Sequence, residues 1–221
     1  MPDCDFENDQ ALIKRCTDIL ARFPMQIEHS HYNVQSYRIG GIPRAYMLYK
    51  GLMTDDLTRR YVAHYAEEAM LAPRDDQGVL SHPYRPKMQQ VWIDIAMAIA
   101  PYFMYAGLAC NRRDWIEEGA RQGIVHYETF LDRTTGLLFQ CKNFVGPGKF
   151  SQDHWGRGNG WGYIALTELV QGLPKDSPSW PKVEKYFKDL SQALLPHQSP
   201  RGLWRQNVSS PMHGRNHQVQ P

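Results

Sequence analysis

Trp92-Ile93-Asp94-Ile95-Ala96-Met97-Ala98-Ile99-Ala100-Pro101-Tyr102-Phe103-Met104-Tyr105-Ala106 decides the fold. Its only side chain of ordinary acidity is Asp94, so a helix built from it is apolar on every face and must be buried all round. The spacing predicts that this helix runs from about Met88 to Gly107. The next predicted helix, Asp114 to Leu131, has a different character. Ile116, Ala120, Ile124, Tyr127 and Leu131 recur at intervals of four, four, three and four, the signature of a single apolar stripe.

The same contrast extends outward along the chain. Amphipathic helices are predicted over about Asp9–Phe23, Asp56–Leu71 and Trp180–Leu195, and Pro24 and Pro73 follow the ends of the first two. Segments richer in apolar and small residues begin near Ile42 or Pro43 and near Gly160, the latter running to Leu173. No alternating strand pattern stands out. Buried and amphipathic helices therefore alternate, as an α/α toroid requires: inner helices touch neighbours on every side, whereas outer helices show one stripe to water. An up-down bundle would make every helix amphipathic. A solenoid would show a fixed period of about 34 or 40 residues, and none recurs.

The 221 residues suffice for one sizeable domain. Hydrophobic residues make up 42% and charged residues 22%, and the formal net charge is only +2 with both signs interleaved. That balance argues against a nucleic-acid or anionic-membrane partner. The first residues, MPDCDFENDQ, are acidic and lack an apolar core, so no secretory signal is read and a cytoplasmic location is expected. No run is long enough for a membrane span. Cys4, Cys16, Cys110 and Cys141 are scattered without ligand spacing and read as reduced thiols, so neither a metal nor a cofactor is expected.

Chemistry concentrates in two places. Asp94 lies inside an apolar helix beside Trp92. Carboxylates are seldom buried without a partner, and one held there has a raised pKa suited to general acid work; the alternative is a residue that only complements the helix dipole. The second place is His154-Trp155-Gly156-Arg157-Gly158-Asn159-Gly160-Trp161-Gly162, a glycine-rich turn opening a helix from Tyr163. Arginine offers a fork of donors to a carboxylate, and indole faces suit sugar rings. The glycines would let backbone approach a ligand, and the helix start would add anion affinity. Packing of the tryptophans into the core is the competing explanation. His82, in Gly78-Val79-Leu80-Ser81-His82, is either a carboxylate or hydroxyl contact or an exposed loop residue. Gly136-Leu137-Leu138-Phe139-Gln140 reads as a turn into a short extended piece that packs on helix ends.

In combination these residues resemble the unsaturated glucuronyl and rhamnogalacturonyl hydrolases, glycoside hydrolase families 105 and 88. The resemblance covers about Tyr37 to Val208. It is carried by Gln90-Val91-Trp92-Ile93-Asp94, Gly78 to His82, Thr135 to Phe139, His154 to Trp161, Leu173-Pro174-Lys175 and Gly202-Leu203-Trp204-Arg205-Gln206, in that family's order. It implies an (α/α)6 barrel acting on oligosaccharides left by polysaccharide lyases, of pectin or rhamnogalacturonan type. Their non-reducing end is a uronic acid with a C4=C5 double bond. Hydration of that bond would release the sugar through an unstable hemiketal. By the same resemblance Asp94 is the catalytic acid, and His82, Trp92, Gln140, Trp155, Arg157 and Trp161 line the substrate site.

Three departures accompany it. Gly40, in Ile39-Gly40-Gly41-Ile42, stands where the family carries a second acid. Gln140 stands where it tends to carry histidine. The seven predicted helices make just over half of six hairpins, so one partial toroid is expected over residues 1–208, incomplete at its C-terminal end, with a polar, disordered tail over 209–221. Exposed inner helices would favour self-association. Two other readings stay open: an impaired or truncated homologue that binds acidic carbohydrate without turnover, and a helical-repeat scaffold.

Overall fold

A computed structural model describes residues 9–23, 25, 41–81 and 86–210. Its helices are α1 (Gln10–Ala21), α2 (Gly41–Tyr49), α3 (Asp56–Met70), α4 (Asp94–Cys110), α5 (Arg113–Phe130), α6 (Gly156–Gly172) and α7 (Trp180–Leu194). Two short strands, β1 (Val91–Trp92) and β2 (Cys141–Lys142), pair antiparallel with Trp92 opposite Cys141.

Local chemistry starts and stops these helices. Asp9 caps α1 by accepting from the Leu12 N–H at 2.9 Å, and Asp55 caps α3 by accepting from the Thr58 N–H at 2.8 Å. Asn111, in the left-handed region at φ 55°, ends α4.

α4 lies at the centre and packs against α2, α3, α5 and α6. Every residue from Ala98 to Gly107 is buried, as the opening stretch requires. α2, α4 and α6 form an inner row, and α3, α5 and α7 back it from outside. That is the α/α toroid arrangement. The outer helices keep a charged face, where Arg60–Asp56, Arg113–Glu117, Lys185–Asp189 and Lys188–Glu184 pair one turn apart.

The outer helix α5 also holds a buried polar cluster. Glu118 accepts from Arg74 at 2.7 Å, Arg121 at 2.7 Å and Gln122 at 2.9 Å, and Gln122 also donates to the Gly78 carbonyl at 3.0 Å. Asp75, fully buried in its side chain, receives Lys142 from β2 at 3.1 Å and the N–H groups of Gln77 and Val79 at 2.9 Å. The segment 74–80 is thereby fastened to α5 and β2.

Two expected boundaries are corrected. The helix expected from Met88 begins at Asp94, because Val91 and Trp92 are taken into the ladder with β2 and Gln89 turns the chain at φ 48°. The helix expected from Gly160 or Tyr163 begins at Gly156, so the glycine-rich stretch is itself helical. Tertiary contacts override the poor helix propensity of glycine there. The polar tail from residue 211 onward, Gly40, Cys4 and Pro24 lie outside the described residues. Cys16, Cys110 and Cys141 are free thiols.

Candidate active site

The strand pair sets the position of Asp94. The Ile93 N–H donates to the Gln140 carbonyl at 3.0 Å, so the chain leaves β1 and enters α4 at a fixed point, with Asp94 as the first helical residue. A carboxylate at a helix start is normally favoured in its charged form. Here burial dominates and pushes the Asp94 carboxyl up, while its own backbone N–H and the charge of Arg157 partly offset that rise. Its Oδ2 atom is buried without a hydrogen-bond partner, and so is the Trp92 Nε1 atom. Two buried polar atoms left unmatched so close together are positions where a ligand can complete the hydrogen bonding. The Trp92 ring meets Phe144 edge-on, at 5.1 Å between centroids.

The head of α6 forms the facing wall. The Arg157 guanidinium lies over the Trp155 ring, 4.0 Å from its centroid. Arg157 remains exposed at its tip while Trp155 is only 9% accessible, so the indole is mostly core and the cation is the accessible part. Trp161 is half-buried one helical turn beyond Arg157, on the same flank of α6. Gln140 holds its place through the main chain: its N–H donates to Ser151 Oγ at 2.8 Å and its carbonyl receives Ile93. Asp94, Trp92, Gln140, Trp155 and Arg157 thus gather at the heads of α4 and α6. His82 lies outside the described residues.

The glycines of this wall serve packing rather than ligand approach. A Cβ on Gly158 would stand 2.9 Å from the Trp155 ring and 3.1 Å from the Ile93 side chain. One on Gly162 would stand 2.5 Å from Leu138. Gly156 lies against the Arg205 carbonyl, and its N–H donates to the Gln206 carbonyl at 2.7 Å, which removes one of the donors expected for an anion. Only Gly160 faces open space. It borders an apolar cavity of about 380 Å³ with Tyr163, Leu194, Leu195 and Trp204 on the α7 side of α6. Neither Asp94 nor Arg157 lines that cavity, and its apolar walls do not suit an acidic sugar.

Several residues that the sequence did not mark hold the wall in place. Asn159 is fully buried, accepts from the Leu138 N–H at 2.8 Å and donates to the carbonyls of Leu138 at 2.9 Å and Trp155 at 3.1 Å. His154 bridges Asp132 at 3.0 Å and Ser209 at 3.0 Å and stacks on Phe139. The Val208 N–H donates to the His154 carbonyl at 2.9 Å. The expected turn at Gly136 packs as foreseen, with Leu137 and Leu138 fully buried. Asn159 stood in plain view in the glycine-rich run, but nothing in that run announces its partner Leu138, 21 residues earlier. Among the described residues no cluster of potential ligands could hold a metal ion.

Fold and site define a class: an α/α toroid with an acid at an inner-helix head, facing a guanidinium and indole rings. Residues 5–218 match Glycosyl Hydrolase Family 88, and the chain belongs to that family. It is 26% identical over 162 residues to the unsaturated rhamnogalacturonyl hydrolase YesR of Bacillus subtilis (strain 168), covering 71% of this chain and 47% of that protein. It is 27% identical over 128 residues to an unsaturated 3S-rhamnoglycuronyl hydrolase of Formosa agariphila, covering 54% of this chain and 34% of that one. A crystal structure described as a possible member of the GH105 family, from Salmonella enterica serovar Paratyphi A, superposes with a TM-score of 0.76 at 25% identity. That match covers 92% of this chain and 54% of the other. The chain spans about half the length of these relatives or less.

Proposed function

We propose that the protein removes a C4=C5 unsaturated uronic acid from the non-reducing end of lyase-generated oligosaccharides of rhamnogalacturonan type, by hydration of the double bond. The observation that carries this reading is the half-buried Asp94 carboxyl, its Oδ2 buried and unmatched, under the influence of Arg157. In this proposal protonated Asp94 delivers its proton to C4, and C5 takes up a water molecule that gives its proton to the resulting carboxylate. The hemiketal formed at C5 then opens and expels the neighbouring sugar. Arg157 binds the uronate carboxylate as a charge-assisted fork. Trp92 and Trp161 offer ring faces and edges to the sugar, with Trp92 Nε1 free to donate, while Trp155 backs the Arg157 guanidinium. The names of the relatives, which act on unsaturated rhamnogalacturonyl and rhamnoglycuronyl groups, support the substrate class.

The test is the absorbance of the unsaturated uronide when purified protein is mixed with lyase-treated rhamnogalacturonan. Loss of absorbance that Asp94→Asn abolishes is expected. A constant signal with folded protein and several lyase products would sink the proposal. A second reading, binding without turnover, draws on Gly40 and Gln140, which by the family resemblance stand where an acid and a histidine are expected. Calorimetric binding of the same oligosaccharides with no loss of absorbance would establish it. Self-association is proposed on the exposed Leu195, Leu203 and Trp204, and a single sedimenting species at every concentration would remove it. Among the described residues no helix is long and apolar enough to cross a membrane.

A further inference from the structure

Three short extended pieces lie side by side in front of the helix heads. β2 is the middle one: it pairs with β1 on one flank, and Lys142 bridges to Phe150 on the other. The Ser151 N–H donates to the Cys141 carbonyl at 3.0 Å, and Ser151 Oγ accepts from the Gln140 N–H at 2.8 Å. Both flanking pieces run antiparallel to β2. β1 therefore leads into Asp94 and the 150–151 piece leads into Asp153 at the same end of this small sheet, the end at which the chain enters β2 through Gln140. Asp153 is half-buried there, two residues before Trp155 and four before Arg157. The Cys141 thiol registers both acids: burial raises it most, the negative charge of Asp153 comes next, and that of Asp94 also contributes. The charge acting on Asp94 is instead that of Arg157, and the two carboxylates stand on either side of Cys141.

We infer that Asp153 is a second carboxylate of this site, a specificity residue that accepts hydrogen bonds from hydroxyls of the bound uronic acid. The inference rests on the proposed function. A carboxylate suits this task because two adjacent sugar hydroxyls can donate to its two oxygens at once.

The experiment uses unsaturated oligosaccharides from lyase-digested rhamnogalacturonan and compares the unsubstituted protein with Asp153→Asn, Asp153→Ser and Asp94→Asn. Both Asp153 variants are expected to raise KM by about 10- to 100-fold, the size of a lost charge-assisted hydrogen bond, with kcat within about threefold and an unchanged melting temperature. Asp94→Asn should instead lose kcat. Unchanged KM in both Asp153 variants, or a kcat loss at constant KM, would overturn the assignment while leaving the proposed function intact. If the unsubstituted protein binds these sugars without turnover, calorimetry reads the same contrast: a 10- to 100-fold weaker Kd supports the role and an equal Kd removes it. Absence of both binding and turnover would fell the proposed function, and this inference with it.

Discussion

Asp94 and Glu118 are carboxylates taken into the same helical core, and their surroundings treat them oppositely. Glu118, on the outer helix α5, is ringed by Arg74, Arg121 and Gln122. Burial alone would raise its carboxyl, but these hydrogen bonds more than compensate and hold it below the usual range. Asp94, on the inner helix α4, has a buried oxygen with no partner, and burial keeps its carboxyl raised. One acid has been matched so that it stays charged and holds a loop. The other has a buried oxygen left without a donor, as the proposed proton transfer requires. Burial by itself therefore says nothing about role; the number of donors around the acid does.

The comparison can be broken at either end. The largest effect is expected from Asp94→Asn, which should cut turnover of unsaturated oligosaccharides by about 10²- to 10⁴-fold, the usual contribution of a general acid. Its melting temperature should hold or rise, since an unmatched buried carboxyl is removed; a large fall would move Asp94 into the structural category.

His126, just over two turns beyond Glu118 on α5's buried side, sharpens the contrast through pH. It is fully enclosed, its Nε2 atom lacks a partner, and burial lowers it to about 4. Between that value and the ordinary 6.5 the unfolded chain binds the proton and the folded chain does not. Stability therefore rises with pH across this window and is lost as pH falls from 6.5 towards 4, by about 3 kcal/mol for this group alone. Urea midpoints at pH 7 and pH 5 should show a fall that His126→Gln diminishes.

Glu118→Gln should cost about 2 kcal/mol of stability, since Arg74 and Arg121 lose the charge and one of the two acceptor oxygens they pair with, while kcat of the folded fraction is kept. A loss of kcat without loss of stability would contradict the division of roles. Arg157→Lys should raise KM about tenfold, because an ammonium replaces the fork without its bidentate geometry. The smallest change is expected from Lys185→Ala on α7. Its pair with Asp189 is exposed, so the melting curve should shift by less than about 0.5 kcal/mol equivalent.

The inner and outer rows were legible because burial on every face of α4 and one stripe on α5 leave direct marks in the sequence. Asp94 was legible for the same reason: one acid in an apolar run must be accounted for. Glu118, Gln122 and His126 were not, since in an amphipathic helix polar residues are assigned to the water side by default. The strands were too short for a period of two to show. The start of α6 was misplaced because glycine and asparagine discourage a helix locally. Gly158 and Gly162 are required by contacts with Ile93 and Leu138, which are remote in sequence, and Asn159 is held by Leu138 in the same way. Gln140 was placed in the site, whereas the contribution of Ser151, which holds its main chain, depends on a ladder no pattern announces.

The strand-like contact between residues 154–156 and 206–208 also orders events in time. A chain emerging from the ribosome delivers Asp94 more than a hundred residues before Val208, and domains assemble as their parts appear. The backbone partners of His154 and Gly156 do not exist until Gln206 and Val208 have been made. During synthesis Asp94 is thus available for packing well before the wall that carries Arg157 has its last support.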